Sequence, residues 1–191
     1  VKSPSSLEPN PHFGTMARKI MGMLNDILSP TIKPQRTRVS FDVDETLACH
    51  CAEVPVEDGF LPALMHRWLG EPLRRGACSL IRELRRRGCS VWIYTTSGRT
   101  PFYIRRWLLL YGIHVDGIVN SERHRHGLAR HGFSRLPSKY PPAFGIDLHV
   151  DDSEGVQMEG DAHGFRVVVV RPEDERWTQR VLDAVAQAQA A

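Results

Sequence analysis

The chain has 191 residues, 41% hydrophobic and 25% charged, the proportions of an ordinary folded protein with one good core. It holds no apolar run near the roughly 20 residues that a membrane helix needs, and its polar, proline-rich start is unlike a signal peptide. A net charge of +3 suits anionic substrates without demanding nucleic acid, and the four cysteines, Cys49, Cys51, Cys78 and Cys89, form no secreted disulfide pattern, which points to a reducing cytoplasm.

Residues 1–36 read as a leader and an amphipathic helix, and residues 37–191 as the domain proper. The leader is rich in proline and serine. Ile20, Met23, Leu24, Ile27 and Leu28 then recur at helical spacing until Pro30 and Pro34 end the pattern. A first strand covers Arg38 to Phe41. Asp is depleted in strands, so Asp42 and Asp44 belong just past the strand's end. Ala48 to Phe60 has no helical period and is expected as a flap over that end. Leu73, Leu80, Ile81 and Leu84 predict one face of a helix surrounded by arginines and stopped by Gly88.

Ser90 to Thr95 is nearly continuously apolar, as a strand buried on both faces should be. Thr100-Pro101 supplies an N-cap and a first helical residue, and Ile104, Trp107, Leu108 and Tyr111 mark the buried stripe of the helix that follows. Val115–Val119, Ile146–Val150 and Phe165–Val170 are further strands. Ser153 is placed to cap a short helix, and Trp177, Val181, Val185 and Ala188 carry the closing one. Strands alternating with helices predict an α/β fold, a three-layer Rossmann-like parallel sheet flanked by helices. Between the third and fourth strands lies a basic loop, residues 123–135, with Arg123, Arg125, Arg130 and Arg135 among three histidines.

Four segments carry chemistry. Phe41-Asp42-Val43-Asp44-Glu45-Thr46-Leu47 sets two carboxylates two positions apart after a buried strand, where open α/β sheets bind ligands. Val91 to Ser97 is an apolar run ending in the hydroxyls of Thr95, Thr96 and Ser97. Lys139 stands ahead of the fourth strand, and Asp151-Asp152 follows it. Taken in order, these segments resemble the four motifs of the haloacid dehalogenase (HAD) superfamily, mostly phosphatases and phosphotransferases. The resemblance covers residues 38 to 170 and implies the HAD-like fold.

The resemblance further implies a phosphomonoester hydrolase that forms an aspartyl-phosphate. Asp42 would be the nucleophile and Asp44 the general acid and base. Thr95, with Thr96 beside it, and Lys139 would hold phosphoryl oxygens. Four carboxylates beside a dianionic substrate would repel by about 4 kcal/mol per unit pair at 4 Å and an effective dielectric of about 20. The site therefore calls for a cation. Mg²⁺ prefers oxygen ligands, and by the resemblance the Asp42 side chain, the Asp44 backbone carbonyl and Asp152 would bind it, with Asp151 orienting Lys139 or a metal-bound water.

Neither insertion point holds a sizeable cap, and capless members of the superfamily tend to act on macromolecules or to close their site by oligomerisation. The substrate expected is a phosphorylated, macromolecular or polyanionic molecule, with Arg123 and Arg125 as candidate contacts for its outlying charges. A homo-oligomer remains open, as does nucleic acid as a partner. Asp44-Glu45-Thr46 is also similar to the Asp-x-Asp-Glu-Thr of phosphatases that act on protein tails. The rival from another class is a non-catalytic module that binds a phosphorylated ligand or nucleic acid. Cys49-His50-Cys51 resembles part of a zinc site, but no second pair completes it.

Overall fold

The computed structural model describes residues 36–59, 70–133 and 135–190. The expected leader, the amphipathic helix and the far end of the flap lie outside them. Five short parallel strands form the centre: β1 (Arg38–Phe41), β2 (Ser90–Tyr94), β3 (Gly117–Val119), β4 (Leu148–Asp151) and β5 (Val167–Val169), in the order β3-β2-β1-β4-β5. Phe41 is paired with Ile93 on one side and with Val150 on the other. Chain order thus runs outward from β1 in both directions, and the switch point falls between β1 and β4. A crevice at the carboxyl ends of these two strands is the place for a site.

Among the described residues five α-helices, α1 (Ala77–Arg86), α2 (Pro101–Leu109), α3 (Ser121–Leu128), α4 (Glu154–His163) and α5 (Trp177–Ala190), alternate with or follow the strands. Their inward residues, among them Leu80, Leu84, Ile104, Trp107, Val181 and Val185, bury against Val39, Phe41, Val91 and Ile93 of the sheet. At roughly 1.5–3 kcal/mol per fully buried large apolar side chain, this core is what makes the domain stable. The sheet is close-packed even at its edge. Trp92 lies beside Gly117 on β3, where an added Cβ would come within 2.4 Å of the indole. No helix among the described residues is long and apolar enough to cross a membrane.

Several local expectations are corrected. The first helix begins at Ala77, because Gly76 at φ 93° breaks the chain there, and Leu73 instead bridges Ala48 in extended backbone. Glu57, from the flap, accepts the N–H groups of Gly76 and Cys78 through its Oε1, so a glycine N-cap without a side chain is served from elsewhere. The basic segment expected as a loop folds from Ser121 to Leu128 as α3, capped by Asn120, whose Oδ1 accepts from Arg123 N at 3.1 Å. Only His124 and Leu128 turn inward, too sparse a stripe for periodicity to reveal. Ser153 occupies the N-cap position of α4, yet its side chain makes no capping bond, and its N–H donates to Asp151 Oδ1 at 3.0 Å. Thr100 caps α2 as expected, accepting from Tyr103 N.

The buried His124 has a defined proton arrangement. Tyr140 N donates to the Tyr94 hydroxyl at 2.8 Å; His124 donates to the backbone of Pro137, so in the neutral ring Nδ1 accepts from the Tyr94 hydroxyl at 2.7 Å. Burial, and then the charge of Lys139, lower the His124 pKa. An unfolded chain protonates this histidine below its ordinary value of about 6.5, whereas the folded one resists, so stability falls as pH drops below that value. Urea titrations at pH 7 and 5.5 should show His124→Gln losing less stability across the interval than wild type, by up to about 1.4 kcal/mol per pH unit. Equal slopes would contradict this.

Candidate active site

The end of β1 delivers Asp42 into the crevice, with its N–H bonded to Val150 O at 2.8 Å and its side chain largely buried. Lys139 Nζ meets Asp42 Oδ1 at 2.6 Å, Tyr94 O at 2.9 Å and Asp151 Oδ2 at 3.6 Å. The lysine is aimed by its surroundings. Its amine lies 5.3 Å from the Tyr94 ring centre, and the next residue's N–H bonds the Tyr94 hydroxyl. Glu159 of α4 accepts from Ser138 N, Ser138 Oγ and Lys139 N. One tyrosine and one glutamate thus fix a long, flexible side chain that would otherwise roam.

Behind Asp151 lies a buried pair that the sequence reading did not find. Ser40 and His149 are register partners on β1 and β4, and Ser40 Oγ lies 2.8 Å from His149 Nδ1 while His149 Nε2 lies 3.0 Å from Asp151 Oδ2. A carboxylate only accepts, so Nε2 carries the hydrogen and Nδ1 accepts from the serine. Burial lowers the His149 pKa, against the pull of Asp151, and keeps the ring neutral. Asp151 is pushed up by burial, but the His149 hydrogen bond, Lys139 and Ser153 N outweigh this and hold it low. Asp42 is raised by burial despite Lys139, with the Asp151 charge adding to the rise.

Asp42, Asp151 and Asp152 each offer a carboxylate oxygen, all within 4.8 Å of one another. Burial, and then the charges of its neighbours, also raise Asp152. Burial thus pushes two of the three carboxylates toward neutrality, and three clustered oxygens are the donor type that suits Mg²⁺. The residues present fit that ion. Neither of the candidate ion-holding groups among the described residues includes a cysteine, and Cys49 is buried against Glu45 O while Cys51 is exposed.

Asp44 stands at the turn after β1 and is half exposed. Its carboxylate meets Arg99, with Nη1 at 2.9 Å from Oδ2 and Nη2 at 2.7 Å from Oδ1. Arg99 in turn holds Glu71 through Nε and Nη2. The second ion-holding group, Asp44, His50 and Glu71, already has this guanidinium as its cation. Thr95 is buried, and its hydroxyl donates to Ser97 Oγ at 3.0 Å and accepts from Ser97 N, while Thr96 is exposed. Ser97, which keeps its own hydroxyl hydrogen, is a further donor at the end of β2.

Arg123 is placed differently from an outlying contact. It donates to Ile118 O at 2.9 Å and lies over Trp92 at 5.3 Å, packing on the β2–β3 side of the sheet. Arg125 is exposed on the outer face of α3. The structure thus brings Asp42, Asp151, Asp152 and Lys139 together, sets Asp44 at the rim, and engages Arg123 elsewhere.

A central strand ending in Asp-x-Asp, with a lysine and a second acidic pair gathered at the switch point, settles the architecture. The fold is an α/β, Rossmann-like parallel sheet flanked by helices. No protein-family model and no curated protein matches the chain. It is similar to a chain of the Pnkp1/Rnl/Hen1 complex at 14% identity, over 72% of this chain and 47% of that one, with a TM-score of 0.44. It is also similar to a protein assigned as a HAD-like family hydrolase from Porphyromonas gingivalis, at 13% identity over 82% and 98% of the two chains, TM-score 0.43. A protein assigned as a 3-deoxy-D-manno-octulosonate 8-phosphate phosphatase from Vibrio cholerae matches at 15% identity over 82% and 86%, TM-score 0.41. The chain spans about half the length of the first of these.

The buried ion pair gives a test of the site's construction. Lys139→Met leaves Asp42 uncompensated, and such a loss costs about 3–5 kcal/mol. Asp42→Asn in the same chain should restore much of it, so urea titrations of the two single variants and the double should be strongly non-additive. Additive losses would mean that the pair does not form in solution.

Proposed function

We propose that this protein is a Mg²⁺-dependent phosphomonoester hydrolase working through an aspartyl-phosphate on Asp42. The observation that carries the reading is the buried Asp42 carboxylate, held by Lys139 at 2.6 Å and sharing a cluster with Asp151 and Asp152. An isolated carboxylate is seldom left in such a place, because burial penalises its charge. Here it is built in, with a lysine devoted to it.

In this reading Asp42 attacks phosphorus, and the bond to the leaving oxygen breaks as Asp44 gives that oxygen its proton. Water then attacks the aspartyl-phosphate, Asp44 takes the water's proton, and the Asp42–phosphorus bond breaks to release phosphate. Lys139 and the hydroxyls at the end of β2, Thr95 and Ser97 with Thr96 next to them, are the candidate donors to the phosphoryl oxygens. The Asp42 and Asp152 side chains and the Asp44 carbonyl would hold Mg²⁺, while Asp151, tied to His149 and near Lys139, would orient the lysine. Mg²⁺, when bound, supplies positive charge that lowers the barrier to a carboxylate meeting a dianionic ester. The substrate class that best suits a crevice without a separate covering domain among the described residues is a phosphorylated macromolecule or polyanion. Arg125, exposed on α3, is the better candidate for its outlying charges, and a reducing cytoplasm is the compartment proposed.

Asp42→Asn should keep the fold, by circular dichroism, and abolish phosphate release from an aryl phosphate, because a carboxamide cannot attack phosphorus. Retained near-wild-type turnover would remove the nucleophile assignment. Wild type that binds phosphorylated ligands without hydrolysing any would favour the non-catalytic module.

The metal proposal has its own measure. Excess chelator should silence the enzyme and added Mg²⁺ should restore it. Asp152→Ala should raise the Mg²⁺ concentration needed for half activity more than Asp151→Ala does. Full activity in chelator would overturn the proposal.

A further inference from the structure

We infer that Arg99, anchored by Glu71, is a positioning residue that holds the Asp44 carboxylate in the orientation its acid–base role requires, an inference that rests on the phosphatase reading above. Asp44 is 49% exposed at its side chain, so nothing in the packing alone fixes its rotamer. Arg99, by contrast, is only 19% exposed and Glu71 13%. The guanidinium grips both carboxylates at once. Its Nε and Nη2 meet the Glu71 oxygens at 2.7 and 2.6 Å, and its Nη1 and Nη2 meet the Asp44 oxygens at 2.9 and 2.7 Å.

An exposed single ion pair is worth little, but a bidentate network with low exposure holds its geometry and is worth more. A planar fork on each side of one arginine also sets the plane of both carboxylates, which a lysine point charge could not do. The anchor end is heavily determined. The Tyr103 hydroxyl donates to Glu71 Oε1 at 2.9 Å, His50 Nε2 lies 3.2 Å from Oε2, and Trp107 Nε1 and the Tyr111 hydroxyl both bond the Glu71 carbonyl. Rigidity thus runs from the buried face of α2, through Glu71 and Arg99, to the exposed Asp44.

The location of Arg99 argues against a merely stabilising pair. It directly precedes Thr100, the N-cap of α2. The positive end of a helix dipole disfavours a cation there. An arginine at this place needs two carboxylates to be comfortable, and one of them is the acid two residues past the nucleophile.

The test is the dependence of kcat/KM on leaving-group pKa across a series from activated aryl to alkyl phosphates, with Mg²⁺ present. This ratio reports events only through the first phosphoryl transfer. Aryl oxygens of low pKa depart without a proton, whereas alkyl oxygens need one from Asp44. Arg99→Lys keeps the charge but loses the fork, so it should cut kcat/KM for alkyl esters by about 10²-fold, the low end of general-acid effects, and for the most activated aryl ester by far less. Glu71→Gln, which spares Asp44 and Arg99 themselves, should steepen the series in the same sense. A uniform drop across leaving groups, or none, in variants whose circular dichroism matches wild type, would overturn the inference while leaving the phosphatase reading standing. Wild type that releases phosphate from no ester in the series would overturn that reading, and this inference with it.

Discussion

Putting a carboxylate at the buried end of a central strand is the constraint from which the rest of this molecule follows. Asp42 has lost most of its water, and the free energy of that loss must be offset by positive charge brought to it. Lys139 supplies the charge from 97 residues away, and a lysine can be delivered that accurately only if its own path is fixed. Tyr94 does this from the neighbouring strand, accepting from the lysine amine and from the next residue's N–H. His124 then accepts a hydrogen bond from the Tyr94 hydroxyl. The buried histidine of the basic segment therefore serves the site through packing, two contacts removed from the chemistry.

Much of this was legible in the sequence, for a physical reason. Buried parallel strands are nearly continuously apolar, so Val91 to Tyr94 and the run before Asp42 stand out, and acids at their ends contradict the pattern loudly. Thr100-Pro101 announces a helix start because both residues have few other good uses. Partnership across strands is a different matter. Ser40 and His149 are 109 residues apart, and period tells which face a residue lies on, never which side chain will be its neighbour in an adjacent strand. The same holds for Arg99 and Glu71. The one local signal for that pair was an arginine at the positive end of a predicted helix, a misplaced charge that implies carboxylates nearby. The basic segment misled for the opposite reason: among seven cationic or titratable side chains, the charge pattern does not say that one histidine faces inward and that Arg123 lies over Trp92.

Asp42 and Asp44 are the same residue type two positions apart, yet their surroundings divide them sharply. Asp42 is 8% exposed beside a lysine, and Asp44 is half exposed beside an arginine. In the proposed reaction this division matters more than either residue alone. A nucleophile gains from lost water, because bulk solvent stabilises its charge and competes for the substrate. An acid–base residue that protonates the leaving oxygen and regains its proton from the attacking water must be reached by both, so it belongs at the rim.

The backbone makes this division within three residues. In an extended strand, residues two apart point to the same face, and both carboxylates would share one environment. Instead the chain leaves the sheet at Asp42 and turns, with Leu47 N and Ala48 N both bonded to Val43 O and Glu45 N to Ala48 O. The turn requires Glu45 at φ 51°, the left-handed region that a residue with a Cβ seldom adopts. Such a conformation costs about 1–3 kcal/mol and persists where surrounding bonds over-determine it, as the three hydrogen bonds of this turn do. Strain held at one glutamate thus lets two neighbouring aspartates sit on opposite sides of the boundary between protein and water.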